Sequence, residues 1–154
     1  MRVYLLYILT GLITFWIILI LLGVSAGFAD YIPVVALVGS VLLFTVASPI
    51  LVLKKRLGLV IGIVSCLLIL PFDITFTISL FQDTTFSWGT LFGFVPILLS
   101  FLSLFYSIRG FRIEGRMLFK NQKIRLLLFW IPILLFILYF AVYGRYWSWQ
   151  MFIL

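Results

Sequence analysis

LGLVIGIVSCLLILPFDITFTISL, residues 57–80, is the stretch whose reading decides the fold. About 20 mostly apolar residues cross the roughly 30 Å hydrocarbon layer of a bilayer. This run exceeds that length and is too apolar for the core helix of a water-soluble domain. It follows the basic triplet Lys54, Lys55 and Arg56 and contains one acid, Asp73. With Leu57 at the inner boundary, a rise of about 1.5 Å per residue carries Asp73 about 24 Å into the layer, in its far third. An acid at that depth is a candidate functional residue by default.

The rest of the chain repeats the pattern. Of 154 residues, 66% are hydrophobic and 10% charged, and the mean hydropathy is +1.35. That leaves too little polar surface to cover a globule of this size in water. The expected fold is an all-α integral membrane protein, a single bundle of five transmembrane helices. Its spans run over about 3–23, 32–53, 57–80, 88–108 and 126–143. A basic cytoplasmic loop occupies 109–125 and an aromatic outer tail 144–154. Residues 1–30 also resemble a cleavable signal: a basic start, an apolar run and the small residues of VSAGFAD. The run is longer than the about 7–15 apolar residues of such signals, which favours a retained first helix.

Charge sets the orientation. Arg2, the triplet at 54–56, Arg109, Arg112, Arg116, Lys120, Lys123 and Arg125 fall on one side of the alternating spans, against Glu114 alone. Asp30, Asp83 and Arg145 fall on the other. The positive-inside rule places the N-terminus in the cytoplasm and the C-terminus outside. Tyr31, Trp88, Tyr143, Tyr146, Trp147 and Trp149 line the outer boundary as an aromatic belt would. The net charge of +7 is therefore read as topology and not as nucleic-acid binding. Plasma (inner) membrane is the expected location, bacterial by default.

Small residues mark the faces along which these helices meet. Gly89, Gly93, Pro96, Ser100, Ser103, Ser107 and Gly110 recur at steps of four and three and share one stripe of a helix. Lipid gives helices no hydrophobic drive to associate, so small residues and hydroxyl hydrogen bonds must hold them together. Gly58, Gly62 and Ser65 form a shorter seam whose face also carries Asp73; span two offers Ala36, Gly39, Ser40 and Ala47. These seams pack either the monomer, a second chain or a pore. Pro71 frees the carbonyl of Leu67 just below Asp73, and irregular backbone beside an acid suggests a polar cavity.

A charged Asp in hydrocarbon calls for a nearby cation. Arg145 is the one on the outer side, about 28 Å up the fifth span from Leu126 if its helix continues, within one turn of Asp73 in depth. An Asp73–Arg145 ion pair tying span three to span five is expected; an ion or proton site, or an interfacial Asp73, are the alternatives. In the cytoplasmic loop Arg109, Arg112, Arg116, Lys120 and Lys123 are spaced for one basic helical stripe. That stripe would lie on anionic inner-leaflet lipids, on an acidic partner, or in solvent. IEGR at 113–116 matches the factor Xa cleavage tetrapeptide and offers a topology test.

The chain has no histidine and one cysteine, Cys66. Histidine-based triads, Cys/His zinc sites and intrachain disulfides are excluded. Paired-carboxylate catalysis needs two acids within several ångströms, and the four acids are scattered. No catalytic residue, cofactor or metal is expected. The expected function is a non-catalytic accessory, assembly or protective membrane subunit with a membrane-protein partner or as a homo-oligomer. The alternative is a small oligomeric transporter or channel using Asp73 in a polar outer cavity.

Overall fold

The computed structural model describes residues 1–24, 31–82, 93–112 and 121–143; within these, helix residues 17–24, 31–36, 80–82, 112, 139–140 and 143 are described in backbone only. Among the described residues the chain is all-helical, with five helices and no strand. They are α1 (Arg2–Val24), α2 (Tyr31–Leu53), α3 (Lys55–Gln82), α4 (Val95–Arg112) and α5 (Gln122–Tyr143). Helices α1 and α2 cover the residues 3–23 and 32–53 that the sequence marks as apolar. Toward the basic end α3 and α5 begin earlier than 57 and 126, and α4 ends later than 108, because Lys and Arg are good helix formers and the helix does not stop where hydropathy falls.

The helix ends have local causes. Pro33 sits in the first turn of α2, where its missing N–H costs no intrahelical bond. Lys54 alone separates α2 from α3; its N–H still bonds the Ile50 carbonyl at 2.7 Å, and its own carbonyl receives Gly58 N–H at 3.0 Å. Asn121 caps α5, its Oδ1 accepting the Lys123 N–H at 3.1 Å. Pro49, Pro71 and Pro132 lie inside α2, α3 and α5, none of which is interrupted.

Side-chain contacts fix the direction of each helix. Tyr7 meets Ser107 and Thr10 meets Ser103, so α1 and α4 are antiparallel. Ser40 bonds the Ser65 carbonyl while Gly58 lies against Leu51, so α2 and α3 are antiparallel. Asp73 meets Ser100, and Gly110 lies against Leu59, so α3 and α4 are antiparallel. Tyr4 reaches Leu128 and the Phe15 ring sits 5.7 Å from that of Phe136, so α1 and α5 run parallel. The odd helices therefore point one way and the even helices the other. One end of the bundle gathers the starts of α1, α3 and α5 with the ends of α2 and α4. Every described Lys and Arg lies there: Arg2, Lys54, Lys55, Arg56, Arg109, Arg112, Lys123 and Arg125. Asp73, the one acid among the described residues, is about 27 Å along α3 from Lys55.

The core is built around α1 and α2. Tyr4, Tyr7, Phe15, Val41, Phe44, Leu51, Leu59, Cys66 and Ile69 are buried in it, with the Tyr7 and Phe44 rings 5.6 Å apart. Small polar groups are buried beside this apolar core, and large apolar side chains are exposed. Thr10, Thr14, Ser40, Ser48, Ser65, Asp73, Ser100, Ser103 and Ser107 are all buried, while Leu126, Leu138, Phe105, Leu98 and Trp130 are about half or more exposed. Among residues with described side chains, Lys55–Ser79 is long and apolar enough to cross a membrane, and Arg2–Trp16, Leu37–Leu53 and Val95–Phe111 are shorter apolar stretches.

Candidate functional site

The site grows out of the small-residue face of α4. Pro96, Ser100, Ser103 and Ser107 are buried there, Gly93 and Gly110 half-buried; Gly89 lies outside the described residues. The three serines face α1 and α3 and are fully enclosed. A serine has one proton to give, and that determines the direction of each bond. Ser107 donates to the Ser103 carbonyl at 2.5 Å, so the Tyr7 hydroxyl is the donor in its 2.5 Å bond to Ser107 Oγ. Thr10 donates to the Leu6 carbonyl at 2.7 Å, so Ser103 is the donor in its 2.9 Å bond to Thr10 Oγ1. Each hydroxyl is thereby used once as a donor in a ladder joining α1 to α4. In an apolar interior every such bond matters, because an unmade one leaves a desolvated dipole.

Asp73 is the ladder's last rung. It is 1% exposed, and its Oδ2 accepts from Ser100 Oγ at 2.5 Å. Its Oδ1 is buried with no hydrogen-bond partner among the described residues. On α3 it shares a buried face with Gly58, Gly62, Ser65, Cys66 and Ile69. This face has no room to spare: a Cβ at Gly62 would run into the Tyr7 ring, and one at Gly58 into the Leu51 backbone. Thr77 donates to the Asp73 carbonyl at 2.7 Å. The expected counter-ion Arg145 lies outside the described residues, and with it the Asp73–Arg145 pair. So do the outer tail and the loops carrying Asp30 and Asp83.

Two further features come from residues the sequence did not single out. Tyr4 donates to the carbonyl of Leu128 at 2.6 Å. That carbonyl is four residues before Pro132, which has no N–H to give it; a tyrosine from α1 therefore supplies the one bond that the continuous helix α5 cannot make for itself. Tyr4, Tyr7, Thr10 and Thr14 recur at steps of three and four on α1, the same signal that marks α4. A small cavity of about 20 Å³ lies between α1, α2 and α5, lined by Tyr7, Phe44, Ser48, Pro132 and others, and does not include Asp73.

At the basic end, Arg109 and Arg112 belong to α4 and Lys123 to α5. Asn121 separates α5 from what precedes it, so these residues do not share one helix; Arg116 and Lys120 lie outside the described residues. The Met1 amine is held below its ordinary value of 8.0, first by partial burial and then by Arg2 and Lys55 beside it. Cations from the starts of α1 and α3 thus converge. Among the described residues no three His, Cys, Asp or Glu side chains come together. Among the described residues Asp73 carries the one carboxyl side chain. No protein-family model, curated protein or solved structure matches this chain.

Proposed function

We propose that this chain crosses a plasma (inner) membrane five times, N-terminus in the cytoplasm and C-terminus outside, and works there as a non-catalytic accessory, assembly or protective subunit. The observation that carries the reading is the apolar outer surface: leucines, isoleucines and phenylalanines are exposed along every helix, while hydroxyls and a carboxyl are buried among the apolar side chains of the core. In water each square ångström of that apolar surface would cost about 25 cal/mol; in lipid it costs nothing, and buried hydroxyl bonds become what holds the helices together. The five helices have 18 to 28 residues, roughly 27–42 Å of length against about 30 Å of hydrocarbon. The gathering of cations at one end supports the orientation. The serine stripe of α4 is spent inside the monomer, which leaves the aliphatic outer faces and the basic end to meet a partner.

A second reading, a small oligomeric transporter or channel, draws on one observation, the bare Oδ1 of Asp73. One measurement tests the orientation and a second separates the two readings. Protease specific for IEGR should cut at 113–116 in inverted vesicles and spare intact cells; the reverse pattern sinks the orientation. Gentle extraction by a tag at Leu154, then sizing and mass spectrometry, should yield a complex with a second membrane protein. A homogeneous homo-oligomer would move the assignment to transport.

A further inference from the structure

The Asp73 carboxyl sits where a charge would have nothing to answer it. Its side chain is 1% exposed. Oδ2 accepts from Ser100 Oγ at 2.5 Å, and Oδ1 is enclosed with no hydrogen-bond partner among the described residues. Every described Lys and Arg lies at the other end of the bundle, about 27 Å from Asp73 along α3. The elements packed around it bring no counter-charge at its level. On α3 the same buried face continues to Cys66, about two turns toward the basic end, and Tyr7 of α1 lies lower still, against Gly62. Helix α4 presents Ser100, which does not titrate, while its Arg109 and Arg112 lie at the basic end; the described side chains of α2 include no titratable group. Thr77 donates to the backbone carbonyl of Asp73 and not to its carboxyl.

We propose that Asp73 is a proton-binding site: at neutral pH its carboxyl is a neutral acid, with the proton on Oδ1 and with Oδ2 as the carbonyl oxygen that Ser100 bonds. The two oxygens are already unequal in the way this requires. A protonated carboxyl has one O–H to give and keeps its acceptor capacity on the carbonyl oxygen, which matches one bare oxygen and one bonded oxygen. A carboxylate would bury a full charge on a single hydroxyl donor. The acid leaves only an O–H dipole short of an acceptor, which costs far less. The site also selects a proton over a metal ion. Hard cations bind through several oxygens at once, whereas the described bonding neighbour of this carboxyl is one hydroxyl, and no three His, Cys, Asp or Glu side chains converge among the described residues. A proton needs one lone pair. Loading forms the Oδ1–H bond and breaks an O–H bond of hydronium, leaving water; unloading is the reverse, and nothing is oxidised or reduced. The inference deepens the transport reading by naming its ion, and rests on that reading for the use of the site, while the protonation itself needs only the enclosure of Asp73.

The test is infrared spectroscopy of the purified full chain in lipid nanodiscs at neutral pH. The wild type should show the carbonyl stretch of a protonated carboxyl, moving down in deuterium oxide, and Asp73→Asn should lose that band. Ser100→Ala should keep the band and move it up, because the carbonyl oxygen loses its donor. If Asp73→Asn does not fold, carboxyl NMR of the chain carrying isotope-labelled aspartate decides. The sequence has Asp30, Asp73 and Asp83, so the Asp30→Asn, Asp83→Asn double variant leaves one aspartate resonance, which should lie in the protonated range. Carboxylate signals alone overturn the proposal. If those signals change in Arg145→Gln, the ion pair expected from the sequence holds the site; if they change when choline replaces sodium, a metal ion does. A protonated band that Ser100→Ala does not move overturns the placing of the proton on Oδ1. Sizing and mass spectrometry of the extracted chain do not depend on this proton. An ionised Asp73 in a homo-oligomer therefore removes the proton site and leaves transport standing, whereas a protonated Asp73 in a chain that comes with a second membrane protein keeps the site and removes transport.

Discussion

Gly58→Ala tests how closely α2 and α3 are packed. A Cβ built on Gly58 stands 2.8 Å from Leu51 Cβ and nearer still to the backbone nitrogen and Cα of Leu51. The offending atoms are main chain and cannot swing aside, so the helices must part by roughly an ångström to restore ordinary contact. Overpacking of this kind costs about 1–3 kcal/mol. Alanine recovers part of that, since glycine inside a helix is worse by about 0.5–1 kcal/mol. The packing term wins, and the net loss is about 0.5–2 kcal/mol. Gly39 is the matched control, a helical glycine in α2 with nothing within 4 Å of an added Cβ. There only the backbone term operates, and Gly39→Ala should gain about 0.5–1 kcal/mol. Heat unfolding in detergent, followed by far-ultraviolet circular dichroism, reads both at roughly 2–4 °C per kcal/mol for a chain of this size. Gly58→Ala should melt below the wild type and Gly39→Ala above it. The reverse order, or two superimposable melts, would refute the close approach of Leu51 to Gly58 and the antiparallel seam built on it.

Tyr4→Phe should cost about 1 kcal/mol by stranding the Leu128 carbonyl; with Pro132→Ala already in place, an N–H is returned to that carbonyl and the cost of Tyr4→Phe should largely vanish in a double-mutant cycle. Additive losses would mean that Tyr4 does not substitute for the proline's missing donor. Ser100→Ala removes the described partner of the Asp73 carboxyl and should destabilise by about 1–3 kcal/mol; a melt matching the wild type would detach Ser100 from that role. The ion pair expected from the sequence makes a separate demand: Asp73→Asn and Arg145→Gln should lower the midpoint by similar amounts, and the doubly changed chain no further. If both single variants melt with the wild type, there is no such pair. Gly62→Ala should weaken the fold more than Gly110→Ala, because its Cβ strikes the enclosed Tyr7 ring whereas that of Gly110 meets only the movable methyl groups of Leu59, at 3.3 Å. Equal melts would contradict this.

Much of this arrangement can be read from spacing. The serines of α4 recur at three and four residues, and that alone puts Ser100, Ser103 and Ser107 on one face. Spacing does not say what the face meets, since a stripe of small residues suits an intramolecular or an intermolecular seam equally well. The answer lay in α1, where Tyr4, Tyr7, Thr10 and Thr14 keep the same rhythm but are masked by their apolar neighbours, because tyrosine and threonine barely lower hydropathy. Asp73 stands out in sequence as the deep acid, yet its neighbour Ser100 comes from an antiparallel helix 27 residues away, a pairing that no local pattern encodes. The basic residues mark which end is which but not where helices stop: Arg109 and Arg112 extend α4 and Lys123 opens α5, because charge ends an apolar run without ending a helix.

The bonds of α1 also bear on the order in which the protein can be made. Its partners across the bundle lie 93, 100 and 124 residues later. A nascent chain whose first helix has left the ribosome must therefore hold Thr10 and Tyr7 in readiness until Ser103 and Ser107 have been synthesised, and Tyr4 until Leu128 has. Thr10 can wait on its own backbone, through its bond to the Leu6 carbonyl, whereas the hydroxyls of Tyr4 and Tyr7 bond to other helices. A chain stopped before α4 would leave both phenols without the partners they have in the folded bundle, and that difference marks an unfinished molecule.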